Sequence, residues 1–196
     1  MSHHHHGDNL DPTGRTLLPG WGTTVTTAKA ARILGGVGLK PWESTTLEKS
    51  GAPAITITAT PCRHGPPGLD AITGPVIGFA LGWDGQTQGA LWVTGDTVLY
   101  PALRDVPNRM DIGSMVLHLG AVRFAYLSGP LRYSMNAREA GELLEIVEPA
   151  AVVPVHYEGW SHFKQGRDEA EPELASTRLA DRIHWIDPGE SVEFET

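Results

Sequence analysis

The sequence predicts a layered α/β domain, and three observations carry that expectation. Several short β-branched or apolar runs are bounded by glycine or proline, as strands are. Two segments in the C-terminal half have helical spacing and lie on either side of a strand-like run. Isolated polar residues, His64, Asp96 and His156, directly follow three of the apolar runs, where a rigid sheet would hold them in loops.

Taken in order, Pro12, Gly14, Pro19, Gly20 and Gly22 make residues 11–22 a turn-rich connection. A short helix is expected within 23–34, stopped by Gly35-Gly36. Pro41-Trp42-Glu43 reads as a turn, and 54–60 alternates cleanly up to Pro61 as a strand. Residues 76–83 and 89–94, joined by Asp84-Gly85-Gln86, carry the strongest hairpin signal. Further strands are expected at 114–119 and 123–127. The apolar stripe Ala137, Ala140, Leu143, Leu144 and Val147 predicts a helix over 136–147, closed by Pro149. Residues 151–155 read as a buried strand whose Pro154 suggests an edge or the end of a ladder. A second helix is expected over 171–183 and a last strand over 191–194.

The 196 residues, 40% hydrophobic and 19% charged, suit one domain spanning 1–196. The net charge of −8 argues against a general nucleic-acid partner. Residues 139–196 hold fourteen acidic against four basic residues, whereas the front of the chain is almost neutral and leaves room for an anionic substrate. A single cysteine, Cys62, rules out an internal disulfide framework and fits a reducing compartment. No stretch approaches 18 apolar residues, so a cytoplasmic protein without a membrane span is expected.

The first residues, Ser2-His3-His4-His5-His6-Gly7-Asp8-Asn9, have two readings. One is a cloning tag without function. The other is a ligand loop, because on an extended chain residues two apart share a side, which would aim His4, His6 and Asp8 together. Four imidazoles and two carboxylates, from His4, His6, His64, His156, Asp8 and Asp96, suit Zn²⁺, Mn²⁺ or Fe²⁺. Neither GxGxxG nor GxxxxGK is present, and no GxSxG elbow supports serine hydrolysis. His118 reads as a histidine inside the sheet or at the rim of the site, and Cys62 as a buried thiol.

These motifs resemble the metallo-β-lactamase superfamily, in particular its UlaG-like and N-acylphosphatidylethanolamine-phospholipase-D-like hydrolases. The HxHxDH signature of that family is similar to His4-x-His6-x-Asp8-Asn9. Its later metal positions resemble His64 in Pro61-Cys62-Arg63-His64-Gly65, Asp96 in Thr94-Gly95-Asp96-Thr97, and His156 in Pro154-Val155-His156-Tyr157. The resemblance implies an αββα sandwich, N-terminally shortened, with a metal site at one edge between two sheets. It implies one metal on His4, His6 and His64, a second on Asp8 and His156, and Asp96 bridging them. It also implies a metal-bound hydroxide attacking a carbonyl or phosphoryl centre, Asp8 orienting it and His162 helping the leaving group.

Asn9 departs from the signature by placing a neutral carboxamide where the family has histidine. The signature also starts almost at Met1, so a homo-oligomer or a partner chain is expected to complete the first sheet. The favoured substrate is a small lactone or other ester-like molecule, because Arg63, Arg132 and Lys164 alone stand near the motifs as phosphate clamps. The alternatives are a phosphodiesterase of the same superfamily and a non-catalytic structural or regulatory remnant.

Overall fold

A computed structural model describes residues 1–68, 73–124 and 129–195. Six strands form one mixed sheet in the order β3-β4-β5-β6-β7-β8: β3 (Ser44–Leu47), β4 (Ile55–Pro61), β5 (Ile77–Trp83), β6 (Ala90–Val93), β7 (Ile112–His118) and β8 (Ala151–Val155). A second sheet pairs β1 (Val25–Thr27) with β2 (Val37–Leu39) in parallel, joined by helix α2 (Ala28–Leu34). Gly38 is what lets α2 lie against β2, since a Cβ there would stand 2.7 Å from Ala28 Cα and 2.8 Å from Ala31 Cβ.

The inner faces of the two sheets meet through Val25 and Leu39 on one side and Ile57, Ala59, Ile77 and Phe79 on the other. The outer face of the large sheet is covered by α4 (Ala137–Val147) and α5 (Arg167–Leu174). Asn136 caps α4 by accepting from the Glu139 amide at 2.9 Å, and Ala137, Ala140, Leu143 and Leu144 turn one face into the core. Each of the two leucines contributes about 1.5–3 kcal/mol on burial. Trp92 is fully buried beneath them, its indole N–H donating to Thr60 Oγ1 at 3.0 Å. The architecture is thus the αββα sandwich, with a first sheet of two strands.

Strand direction builds the site. Both β4 and β6 run antiparallel to β5, and β6, β7 and β8 are parallel to one another. The carboxyl ends of β4, β6, β7 and β8 therefore reach the same edge, delivering His64, Asp96, His118 and His156. Pro154 sits in the outermost strand of that sheet, as its missing N–H requires.

Several local expectations are corrected. Residues 12–17 form helix α1 (Pro12–Leu17), because Asp11 caps the Gly14 amide at 2.6 Å and Pro12 occupies the first helical position. A 3₁₀ turn, Leu18–Gly20, follows it. Strands β2 and β3 and the short helix α3 (Pro101–Arg104) carry too little periodicity to be read. Helix α5 starts four residues early, where the Glu169 carboxylate accepts from Gly166 N–H at 2.8 Å. It stops at Leu174, where Ser176 and Thr177 hydroxyls bind the carbonyls of Glu173 and Leu174. Residues 191–194 are not a strand. Of the strand expected at 123–127, residues 125–127 lie outside the described residues, and 123–124 are not in a strand. Among the described residues, no helix is long and apolar enough to cross a membrane.

Candidate metal centre

The histidine run is a folded loop over this edge. The Met1 ammonium donates to Val25 O at 3.0 Å, the Ile77 amide to Ser2 O at 3.2 Å, and Arg15 Nη2 to His4 O at 2.7 Å. The backbone bends through residues 4–6, and beyond it the amides of Asn9 and Leu10 both bond to His6 O, so the loop is curled along its length. On a curled chain side chains three apart share a side, whereas the alternate-position register needs an extended one.

His3, not His4, consequently joins His6 and His64: one ring nitrogen from each lies within 4.8 Å of the others. His4 instead packs its ring on His5 at 3.9 Å. The structure thus does not bring His4 together with His6 and His64. Four consecutive histidines leave the register open, and only the His3-x-x-His6 spacing marks the turn.

The donor set fits a divalent cation. His6 Nδ1 stands 3.1 Å from both His3 Nε2 and His64 Nε2. Two ligands on a tetrahedral zinc ion, bound at about 2.0–2.1 Å, would be about 3.3 Å apart. His64 Nδ1 lies 2.7 Å from Tyr133 O, and a carbonyl only accepts, so the proton is on Nδ1 and Nε2 offers its lone pair. One proton on His6 Nδ1 would satisfy one neighbour; a cation satisfies all three rings.

Beside this triad lie Asp8, Asp96 and His156. Gly95, at φ +68°, turns the chain after β6 where a Cβ would meet Ile77 O at 2.9 Å, and it leaves Asp96 fully buried. His156 also sits in the left-handed region, at φ +64°, which is costly for a residue with a Cβ. Its Nδ1 faces Leu119 O at 3.2 Å, and its Nε2 faces Asp96 Oδ1 at 3.5 Å and Asp8 Oδ2 at 3.9 Å. Asp8 Oδ1, Asp96 Oδ1 and His156 Nε2 are buried without hydrogen-bond partners among the described residues. Three orphaned donor atoms at one place are what a second cation would satisfy.

The remaining residues support this pair of clusters. His162 Nε2 contacts Asp8 Oδ2 at 2.9 Å, and its ring stacks on Phe124. Asn9 does not face the centre as a lone-pair donor: its amide nitrogen donates to Asp96 Oδ2 at 3.0 Å. His118 bridges Thr94 and Asp96, its Nε2 4.0 Å from Asp96 Oδ1. Cys62 donates its thiol to Asp96 O, and burial pushes its pKa up, so it stays an inert thiol. Ser2, His3, the Tyr133 carbonyl and Phe124 are the parts of the site that sequence reasoning missed.

The electrostatics favour neutral rings and one strong carboxylate. Burial, then His64 and His6, bring His3 down to about 2. Burial and then His6 bring His64 to about 4, and burial followed by His156 brings His118 to about 3. Burial alone would raise Asp8, but His156 and His162 hold it well below the usual carboxylate range. Burial raises Asp96 to about 6. Burial would also lower His156, yet Asp8 and Asp96 outweigh it and raise that imidazole.

An αββα sandwich whose sheet edge gathers two buried histidines, His3 and His64, and the half-buried His6 defines a metal-dependent hydrolase of the metallo-β-lactamase type. The Beta-lactamase superfamily domain matches residues 12–157, and the chain belongs to that family. His64, Asp96 and His156 fall inside the matched residues, and His3, His6 and Asp8 precede them.

Among relatives, a UPF0173 metal-dependent hydrolase of Methanopyrus kandleri is 24% identical over 198 residues, covering 97% of this chain and 79% of that protein. Among solved structures, the isothiocyanate hydrolase from Delia radicum gut bacteria superimposes with a TM-score of 0.74 at 20% identity, covering 98% of this chain and 76% of that one. Igni18, a metallo hydrolase from the hyperthermophilic archaeon Ignicoccus hospitalis, gives 0.75 at 21%, covering 98% and 77%. These structures share the fold with this chain.

Proposed function

We propose that the protein hydrolyses a small lactone or related carboxylic ester, with zinc or manganese held by His3, His6 and His64 and by Asp8, Asp96 and His156. The observation that carries this reading is the convergence of ring nitrogens and orphaned carboxylate oxygens at one sheet edge. Imidazole-rich sites suit zinc, and two carboxylates widen the choice to manganese. When bound, the metal supplies Lewis acidity, lowering the pKa of water and polarising the ester carbonyl.

The residues then divide the work. Tyr133 O and Leu119 O hold the His64 and His156 rings with Nε2 inward. Asp96 lies between the two clusters, 3.9 Å from His3 Nε2 and 3.5 Å from His156 Nε2, where its carboxylate would be within reach of a cation held in either. Asp8 orients the attacking water through Oδ1. His162, held by Asp8 Oδ2, carries a proton to the leaving alkoxide.

The ester reading is supported by a cavity of about 330 Å³ that reaches Asp8 and Asn9. Leu10, Leu18, Trp21 and Trp160 line it with Met1, whose ammonium is engaged by Val25 O, and none of its described lining residues is lysine or arginine. A phosphodiester, the second reading from the same resemblance, would want cations there. The single cysteine supports a reducing, cytoplasmic setting. An apolar groove of about 290 Å³, lined by Val25, Leu47, Ile57 and Phe79 among others, supports a second copy or partner chain against the two-stranded sheet. Light scattering tests that assembly.

Zinc- and manganese-loaded protein should turn over members of a panel of γ- and δ-lactones and p-nitrophenyl esters. Faster hydrolysis of bis(p-nitrophenyl) phosphate would replace the ester reading with the phosphodiester one. No turnover of either class with metal bound would leave the non-catalytic remnant.

A further inference from the structure

We propose that Ser2 and Asn9 form a one-way hydrogen-bond relay through which the carboxylate of Asp96 fixes the ring of His3. This makes Asn9 a positioning residue and not a ligand. The proposal rests on the metal-centre reading above and deepens it, because both ends of the relay belong to that centre.

Chemistry sets the direction at each link. Asn9 Nδ2 lies 3.0 Å from Asp96 Oδ2, and an ionised carboxylate only accepts, so the amide nitrogen must face it. Turning the amide over would set oxygen against oxygen. Asn9 Oδ1 is then directed at Ser2 Oγ, 2.9 Å away, and that contact consumes the single hydroxyl proton of Ser2. Toward His3 Nδ1, at 3.1 Å, Ser2 Oγ has only lone pairs left, so Nδ1 carries the ring proton. His3 Nε2 is thereby left as a lone pair facing His6 Nδ1 at 3.1 Å.

The setting keeps this chain of contacts closed. Ser2, His3 and Asp96 are all buried, and the Ser2 carbonyl is pinned by the Ile77 amide at 3.2 Å. Asn9 has its nitrogen on Asp96 and its oxygen on Ser2, which accounts for a carboxamide at the position where the signature has histidine.

The test reads ring tautomers in the metal-free protein by long-range ¹H–¹⁵N correlation. Wild type should show His3 protonated on Nδ1, whereas Ser2→Ala and Asn9→Leu should each give a mixture. His64, held independently by Tyr133 O, should stay protonated on Nδ1 throughout and so certify that each variant folds. Zinc affinity, measured by competition with a chromophoric chelator, should fall about 10- to 100-fold in both variants. His3 protonated on Nε2 in wild type overturns the proposal, as does an unchanged His3 tautomer or unchanged zinc affinity in both variants. A wild-type chain with the expected tautomers that takes up no zinc would contradict the metal-centre reading and leave the hydrogen-bond direction standing.

Discussion

His156 Nε2 and Asp96 Oδ1 face each other at 3.5 Å, both buried and neither with a hydrogen-bond partner among the described residues. With the His156 proton on Nδ1 toward Leu119 O, a lone pair meets a carboxylate, an arrangement that holds only with a proton or a metal cation between them. Asp96→Asn removes the negative charge and keeps the shape. Metal content should fall from two equivalents to one or none, and hydrolysis by about 10²-fold or more. Elemental analysis and initial rates on one lactone check both.

The curl of the histidine loop separates His3 from His4. His3→Ala should lose the metal of the triad, while His4→Ala, whose ring packs on His5, should keep wild-type metal content. Metal loss in His4→Ala together with retention in His3→Ala would restore the alternate-position register.

Acid should destabilise the metal-free protein. An unfolded histidine titrates near 6.5, whereas folded His3, His118 and His64 stay neutral to about 2, 3 and 4. Below pH 6.5 the unfolded chain binds protons that the folded one refuses, so the stability these rings contribute is full above 6.5 and lost as the pH falls. Asp96, raised to about 6, and His156, raised as well, work in the opposite direction and offset part of the loss. Between pH 7.5 and 5.5 the balance is a loss of stability, because the three lowered imidazoles outweigh the two raised groups. Urea midpoints at the two pH values measure it, and an equal or higher midpoint at pH 5.5 would contradict the assigned neutral rings.

The contact of α2 with β2 depends on the bare backbone of Gly38. Gly38→Ala should cost about 1–3 kcal/mol in urea unfolding, because the new methyl meets Ala28 Cα, which is backbone and cannot swing aside. Gly20→Ala, with open space around its position, should cost far less.

Elements whose pattern and tertiary role agree were readable from the sequence. The β4 run alternates and is half covered, the β5–β6 hairpin has its turn residues, and α4 has both a cap and an apolar face. Strands β2 and β3, three and four residues long, are held by their partners and have no pattern of their own. At the site, His64, Asp96 and His156 were legible because each ends a recognisable strand. His3 was not, because choosing among four adjacent histidines depends on the bend of the backbone through residues 4–6, which has no distinctive side chain of its own. The roles of Ser2 and Asn9 depend on contacts with residues far along the chain and appear only once Asp96 is in place.

The most direct test is a crystal structure of zinc-loaded protein with anomalous differences recorded across the zinc edge. The account predicts one peak within bonding distance of His3, His6 and His64, and a second among Asp8, Asp96 and His156. An ordered loop in zinc-saturated crystals with no peak between those rings, or with zinc on His4 instead, would contradict it.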